Sequence, residues 1–110
     1  MTERGLKYLS DILLAINLID EFIKDCQDFS HYQRDFKTQS AVERQLSIIG
    51  EALNQFKKFE PETSFQNDKN IISFRNRLVH AYDSIDTSIV WAILNNHLPL
   101  LKAETEELLK

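Results

Sequence analysis

The scarcity of turn-forming residues limits what this chain can fold into more than any other feature of its sequence. Only two glycines and two prolines occur in 110 residues, so hairpins and strand turns lack the residues that they need. Apolar residues instead recur at intervals of three and four over nearly the whole length, as in amphipathic α-helices. The sequence therefore predicts an all-α fold, an up-down antiparallel bundle of four or five helices in a single domain spanning residues 1–110.

Two long helices are predicted in the first half of the chain. The first should span residues 3–28 and turn an apolar stripe toward the core, made of Leu6, Leu9, Leu13, Ile16, Ile19 and Ile23. Residues 29–37 should form a connection or a short helix. The second helix should begin near Thr38 or Ser40, with a capping box between Ser40 and Glu43. It should bury a regular seam made of Val42, Leu46, Ile49, Leu53 and Phe56.

Gly50 lies inside this second helix. A glycine there costs about 1 kcal/mol unless it serves a purpose, so Gly50 predicts the close approach of another backbone. A third helix should begin near Asp68, after the break at Pro61, and bury Ile71, Ile72, Phe74, Leu78 and Val79. Asp86 should cap a fourth helix, and Pro99 should kink it or restart it as a last helix.

The charge distribution leaves room for one positive surface in an acidic chain. The net charge of -4 argues against a general nucleic-acid coat protein, which would carry a broad basic surface. No carboxylate lies between Asp68 and Asp83, and that interval holds Lys69, Arg75, Arg77 and His80. Residues 87–103 also lack acidic residues. The absence of carboxylates alone is therefore weak evidence for a positive surface. A symmetric dimer would place two such positive surfaces together and so strengthen the positive electrostatic potential.

The sequence also restricts location and redox chemistry. No apolar run approaches the roughly 18 residues needed to span a bilayer, and the first residues lack a signal-peptide core, so we expect a soluble, cytoplasmic protein. Cys26 is the only cysteine, which excludes an intrachain disulfide and a cysteine-only zinc site. We expect it to be a small, partly buried apolar residue, with a reactive thiol as the alternative.

One segment concentrates chemically useful side chains: Arg75-Asn76-Arg77-Leu78-Val79-His80-Ala81-Tyr82. Arginine offers a permanently charged fork of donors to phosphate oxygens, histidine titrates near neutrality, and tyrosine adds a stacking ring and a modifiable hydroxyl. An Arg-x4-His match arises by chance in about one such chain in seven, but the added tyrosine lowers this to roughly four in a thousand. The alternative is that the arginines are solvated charges and His80 meets the negative end of a helix dipole.

Helical geometry separates the two central residues of this segment. Asn76 and His80 are four apart and share a face, whereas Arg75 lies about 140° around the axis from His80 and about 7.5 Å along it. Three arrangements could let Arg75 and His80 meet one phosphate. The arginine could wrap around the helix, the helix could end at His80, or the pair could face a second subunit's copy. We favour the third, helped by the first.

These residues resemble the HEPN superfamily, and within it the HepT-like toxins that are paired with minimal nucleotidyltransferases. The resemblance covers nearly the whole chain, including residues 8–13, residues 38–53, and Val90-Trp91 with Leu98-Pro99 downstream. The active-site pattern of the family is Arg, a polar residue, three further residues, His, any residue and Tyr. It falls without departure on Arg75, Asn76, His80 and Tyr82.

The resemblance implies a metal-independent endoribonuclease that acts as the toxin of a toxin-antitoxin pair. In this interpretation Arg75 and His80 are catalytic, and Asn76 and Arg77 support them. RNA is cut in a cleft at the interface of a symmetric homodimer. Tyr82 resembles the family's modification site, where the cognate nucleotidyltransferase antitoxin attaches AMP and so neutralises the toxin. ATP and magnesium would belong to that partner, and no cofactor to this chain.

Two other functions stay open at this stage. The chain could be a non-catalytic helical partner that presents a substrate to a nucleotidyltransferase, or a purely structural module in which Arg75 and His80 satisfy a buried polar interface. Metal binding by His31 or His97 is not favoured, because neither has a second histidine at helical ligand spacing.

Four other residues have both a structural and a functional interpretation. Ion pairs to Arg75 or Arg77 are conceivable for three residues of the second helix, Glu43, Arg44 and Glu51, but a solvated face is the favoured interpretation for these. Trp91 should lie in the core or at a dimer interface, with stacking on an RNA base as the alternative.

Overall fold

The structure, a computed structural model, describes residues 1–80 and 85–110. They form six α-helices: α1 (Glu3–Ile23), α2 (Phe29–Arg34), α3 (Phe36–Phe59), α4 (Asp68–His80), α5 (Thr87–Asn96) and α6 (Leu98–Leu108). The described residues contain no strand, which confirms the all-α prediction. The helices outnumber the predicted four or five because residues 29–34, left open as a connection or a short helix, do form a helix.

The helix α3 forms the centre of the bundle, because both α1 and α4 pack along it. Their contacts run antiparallel. Thr2, at the start of α1, meets Glu60 at the end of α3, and Asp68, at the start of α4, lies near Lys57 in the last turns of α3. Each of the five residues of the predicted α3 seam is at most 1% exposed, which confirms the seam.

The apolar stripe of α1 differs from the prediction. The buried residues are Gly5, Leu9, Ile12, Ala15, Ile16 and Ile19, whereas Leu6 is 42% exposed and Leu13 is half-buried. The helix also ends earlier than predicted, where the Cys26 N–H donates a hydrogen bond to the Ile23 carbonyl at 2.8 Å. Apolar residues occur around much of this helix, so the sequence alone did not tell which of them face α3.

The first turn of α3 is capped by Asp35 and not by Ser40. Asp35 Oδ1 accepts a hydrogen bond from the Thr38 N–H at 3.1 Å, and Oδ2 accepts one from the Thr38 hydroxyl at 2.6 Å. These bonds hold the pKa of Asp35 below its usual value. The predicted capping box of Ser40 and Glu43 is therefore wrong, because the carboxylate starts the helix more than a turn earlier.

The remaining helix starts agree with the sequence. α4 begins at Asp68, which is buried and accepts a hydrogen bond from the Phe65 N–H at 3.3 Å. Asp86 caps α5 by accepting the Ser88 N–H at 2.8 Å, and Pro99 stands in the first turn of a separate α6. The Trp91 ring lies 5.2 Å from the ring of the buried Tyr32, which confirms that Trp91 packs against the core. Across residues 1–80 and 85–110, every helix is too short or too polar to cross a bilayer.

Candidate active site

The helix α4 carries the motif on its outer side. Three of its apolar residues, Ile71, Phe74 and Leu78, are buried against the core, which leaves the polar motif residues outside. The Arg75 side chain is 25% exposed, whereas three further motif residues are exposed: Asn76, Arg77 and His80. Tyr82, the predicted modification site, lies outside the described residues.

Two side chains hold the Arg75 guanidinium. Its Nη2 lies 2.7 Å from Glu51 Oε2, and its Nη1 donates a hydrogen bond to Asn76 Oδ1 at 2.9 Å. The Nε is buried and has no hydrogen-bond partner among the described residues. The alternative predicted for Glu51, an ion pair with Arg75, is therefore confirmed: the contact is short and charge-assisted, although the Glu51 side chain is 44% exposed. Arg75 is therefore held at both of its Nη atoms, by one residue of α3 and by its own neighbour on α4.

Gly50 explains how Arg75 reaches Glu51. A Cβ atom on Gly50 would collide with Arg75 Cβ, lie 2.7 Å from Arg75 Cγ and lie 3.4 Å from the Ile71 carbonyl oxygen. The first two distances are shorter than van der Waals contact, so only glycine leaves room for the stem of Arg75 against α3. The predicted close approach at Gly50 is thus confirmed, and the atoms that approach most closely belong to the side chain of Arg75.

Replacing Gly50 by alanine should therefore destabilise the fold. The atoms that the new methyl would overlap lie next to the α4 backbone and cannot swing aside, so α3 and α4 must move apart. Overpacking costs about 1–3 kcal/mol, and the better helix propensity of alanine returns about 1 kcal/mol. The overlap is severe, and we expect a net loss of about 2 kcal/mol, measured by urea unfolding.

The matched control for this variant is Gly5→Ala in α1. The nearest atoms that a methyl on Gly5 would meet all belong to the flexible Glu60 side chain, which can rotate away at the cost of two exposed hydrogen bonds from Thr2. Gly5→Ala should therefore cost clearly less than Gly50→Ala. Equal unfolding midpoints for the two variants would show that the α3–α4 contact is looser than described.

A cavity of about 330 Å³ lies beside Arg75. Its wall combines two arginines and two carboxylates with apolar side chains, and is made of Tyr8, Asp11, Arg44, Ser47, Ile48, Glu51, Ala52, Arg75 and Val79. Val79 was predicted to be a core residue, but it is 45% exposed because Leu78 takes the inward position in that turn. The cavity offers a guanidinium at the edge of a partly apolar recess, an arrangement suited to a phosphate with an attached ring.

The other motif residues fall on different sides of α4 in one chain. His80 is the last residue of the helix and does not line the cavity beside Arg75. Asn76 is engaged with Arg75, and no hydrogen bond joins it to His80 in the described part of the chain. Arg77 lies over the Phe74 ring, with its Cζ 6.0 Å from the ring centroid, and lines a second cavity toward α5. The single chain thus brings Arg75 and Asn76 together with Glu51, and leaves His80 and Arg77 apart from them.

Outside the motif, the structure groups three residue types that can bind metals. Donor atoms of Cys26, His31 and Asp35 all lie within 4.8 Å of one another. This cluster was not predictable from the sequence, because its members come from a turn, from α2 and from the cap of α3. Asp35 already accepts two hydrogen bonds from Thr38, and burial together with the Asp35 charge raises the pKa of the Cys26 thiol. Cys26 is half-buried, as expected.

Comparison with known proteins gives a consistent family assignment. The profile of the family described as "Ribonuclease HepT-like" matches residues 12–108. A protein of Thermococcus cleftensis named "Probable ribonuclease HepT" is 39% identical over 107 residues, which cover 94% of each chain. A protein of Methanocaldococcus jannaschii with a provisional RNase name is 35% identical over 111 residues, covering 96% of this chain and 98% of its own. No solved structure matches the chain significantly.

The match spans almost the whole chain, including the helices α3 and α4 that hold Arg75. It also confirms the resemblance seen in the sequence. The chain therefore belongs to the ribonuclease HepT-like family, whose enzyme class is ribonuclease.

Proposed function

We propose that this protein is a metal-independent endoribonuclease toxin, in which Arg75 and His80 cut RNA and a nucleotidyltransferase antitoxin neutralises it at Tyr82. The main observation in support of this proposal is the way in which the Arg75 side chain is held. Its guanidinium is held by Glu51 and Asn76 at the edge of a cavity, at the position where the family pattern requires an arginine.

The chemistry follows from the substrate. RNA carries its own nucleophile, the 2′-hydroxyl, which attacks the adjacent phosphorus once a base has removed its proton. His80 is the candidate for that base, because histidine is the side chain that most often serves in general acid–base catalysis. Arg75 would hold the phosphate and stabilise the negative charge that grows on its oxygens in the transition state. The attack breaks the bond to the 5′-oxygen and leaves a 2′,3′-cyclic phosphate or its opened product.

A symmetric dimer would complete the site. Arg75 and His80 lie five positions apart on α4, so their side chains leave the helix on different sides. Two-fold symmetry can place the two copies of Arg75, Arg77 and His80 along one groove, which concentrates positive potential that a chain of net charge -4 lacks. The 45% exposed Val79 next to His80 supports an apolar contact there.

Modification of Tyr82 would then switch the enzyme off. Tyr82 follows His80 by two residues, so a nucleotide attached to its hydroxyl would lie close to the groove. Its phosphate would cancel part of the charge that attracts RNA, and its bulk would block the cleft. ATP and magnesium serve the nucleotidyltransferase in this reaction.

Incubation of the purified protein with total RNA, in the presence of a metal chelator, tests the ribonuclease part. We expect the wild type to cleave RNA and His80→Ala to be slower by about 100- to 10,000-fold, the usual contribution of a general base. Equal cleavage by both proteins would remove His80 from the mechanism. Absence of cleavage by both would favour the non-catalytic partner of a nucleotidyltransferase.

Mass spectrometry tests the antitoxin part. After co-expression with the cognate nucleotidyltransferase, the peptide that contains Tyr82 should carry AMP, and RNA cleavage should be lost. Tyr82→Phe should stay unmodified and active under the same conditions. An unmodified Tyr82 in a neutralised complex would mean that the antitoxin acts by binding alone.

A further inference from the structure

We propose that Glu51 is a positioning residue of the ribonuclease site, which holds the Arg75 guanidinium in the orientation that meets the scissile phosphate. This inference rests on the function proposed above and assigns to α3 a part in catalysis. The motif itself lies on α4 and contains no acidic residue.

The carboxylate of Glu51 is held on both of its oxygens. Oε2 lies 2.7 Å from Arg75 Nη2, and Oε1 accepts a hydrogen bond from Gln55 Nε2 at 3.0 Å. Arg75 Nη1 in turn donates to Asn76 at 2.9 Å. One ion pair and two hydrogen bonds thus connect four side chains in a line from α3 to α4: Gln55, Glu51, Arg75 and Asn76.

The adjacent Gly50 also restrains the Arg75 side chain. It admits the Arg75 stem against α3, where any Cβ would collide with it, while Glu51 fixes the guanidinium one residue later. Stem and head of the arginine are therefore both restrained by two consecutive residues of α3. A free arginine samples many rotamers and must lose them when it binds phosphate, whereas this one has already lost most of them.

The held guanidinium keeps enough donors for a phosphate. It has five N–H groups, and two of them are used by Glu51 and Asn76, which leaves three. One of the three, the Nε–H, is buried and has no partner among the described residues, so the donors left for a phosphate are the second N–H groups of Nη1 and Nη2. A preorganised set of donors stabilises a transition state more than it stabilises a mobile ground state. Glu51 should therefore act on the rate of cleavage more than on RNA binding.

A structural or an inhibitory ion pair would behave differently. Glu51 and Arg75 side chains are 44% and 25% exposed, and such pairs contribute little to folding stability. If Glu51 only competed with phosphate for the guanidinium, its removal would speed cleavage. If it only supported the fold, its removal would lower stability, binding and rate together.

The experiment compares Glu51→Gln and Glu51→Ala with a matched control, Glu43→Gln, two turns earlier on α3 and half-buried. Cleavage of one RNA by each protein gives kcat and KM, and RNA affinity is measured in a His80→Ala background. We expect kcat to fall about 10- to 100-fold in Glu51→Ala, the effect of misplacing a catalytic group by about 1 Å. Glu51→Gln keeps the length of the side chain and an oxygen that can face Arg75 but loses the charge, and it should lose less activity than Glu51→Ala. RNA affinity and the unfolding midpoint should stay near those of the wild type, and Glu43→Gln should match the wild type throughout.

Full or increased activity of Glu51→Ala would overturn the positioning role, and so would a parallel loss of kcat, RNA affinity and stability. The wild type in the same assay separates the two proposals. A wild type that cleaves RNA leaves the ribonuclease standing whatever Glu51 does, whereas a wild type that does not cleave removes both.

Discussion

Replacement of Arg75 by alanine should lower the rate of RNA cleavage by at least about 100- to 1,000-fold, the cost of removing one transition-state donor. The Arg75 side chain is held by specific contacts along its whole length. Its stem fits against Gly50, and its guanidinium contacts Glu51 and Asn76. Lysine at this position would keep the charge but lose the planar fork. Arg75→Lys should therefore bind RNA at low salt and still cleave it slowly.

The control for Arg75→Ala is Arg34→Ala, which makes the same change of charge on the exposed end of α2. It should cleave RNA at the wild-type rate. Both variants should unfold cooperatively, because 25% of the Arg75 side chain is exposed and its loss opens no closed cavity. An Arg75→Ala protein that is folded and fully active would remove the arginine from the mechanism.

Replacement of Phe56 by alanine should produce the largest loss of stability, about 3–5 kcal/mol. Phe56 is fully buried at the end of the α3 seam, and its ring centroid lies 5.5 Å from that of Phe65 in the connection between α3 and α4. The loss removes both the buried ring and the anchor of that connection. It approaches the whole stability of a small domain, about 5–15 kcal/mol, so the variant should unfold at a much lower urea concentration.

Phe36→Ala is the matched control for this prediction. Phe36 stands on the same helix but is 75% exposed, so its removal should change the free energy of unfolding by no more than about 0.5 kcal/mol. A cost below about 1 kcal/mol for Phe56→Ala would show that the seam packs more loosely than described. Similar values for the two variants would contradict the placement of α3 at the centre of the bundle.

The parts of the fold that followed from the sequence were those in which one interpretation had no close competitor. The α3 seam repeats at strict intervals of four and three, and all five of its residues are buried. Asp86 and Pro99 are local signals, and both mark helix starts as expected. In α1, by contrast, apolar residues surround much of the helix, and the choice between Leu6 and Ile12 depends on where α3 lies. Local spacing carries no information on that position.

The candidate site could also be predicted from the sequence only in part. The positions of Arg75 and His80 on one helix followed from the sequence, but the partner of Arg75 did not. Glu51 lies 24 positions before Arg75 in the chain, and only the packing of α3 on α4 brings them together. One signal was available, since Gly50 indicated a close approach directly beside Glu51. An acidic residue next to such a glycine is a candidate partner for whatever side chain makes the approach.

The proposed ribonuclease mechanism also predicts a substrate that is not cleaved and a treatment that does not slow cleavage. In the proposed mechanism His80 activates the 2′-hydroxyl of the substrate, so DNA of the same sequence should resist cleavage. Because the proposed catalytic groups are an arginine and a histidine, a chelator should leave the rate unchanged. Both expectations concern the chemistry at the scissile phosphate and are independent of how RNA is selected.

The most direct measurement uses an RNA oligonucleotide that the wild type cleaves at one mapped position. A second oligonucleotide carries a single 2′-deoxy substitution on the 5′ side of that bond. In the presence of a chelator, we expect the first to be cut to a product ending in a 2′,3′-cyclic phosphate or its opened form, and the second to stay intact at that bond. Cleavage of the deoxy-substituted bond at the same rate, or cleavage that His80→Ala performs equally well, would contradict catalysis by Arg75 and His80.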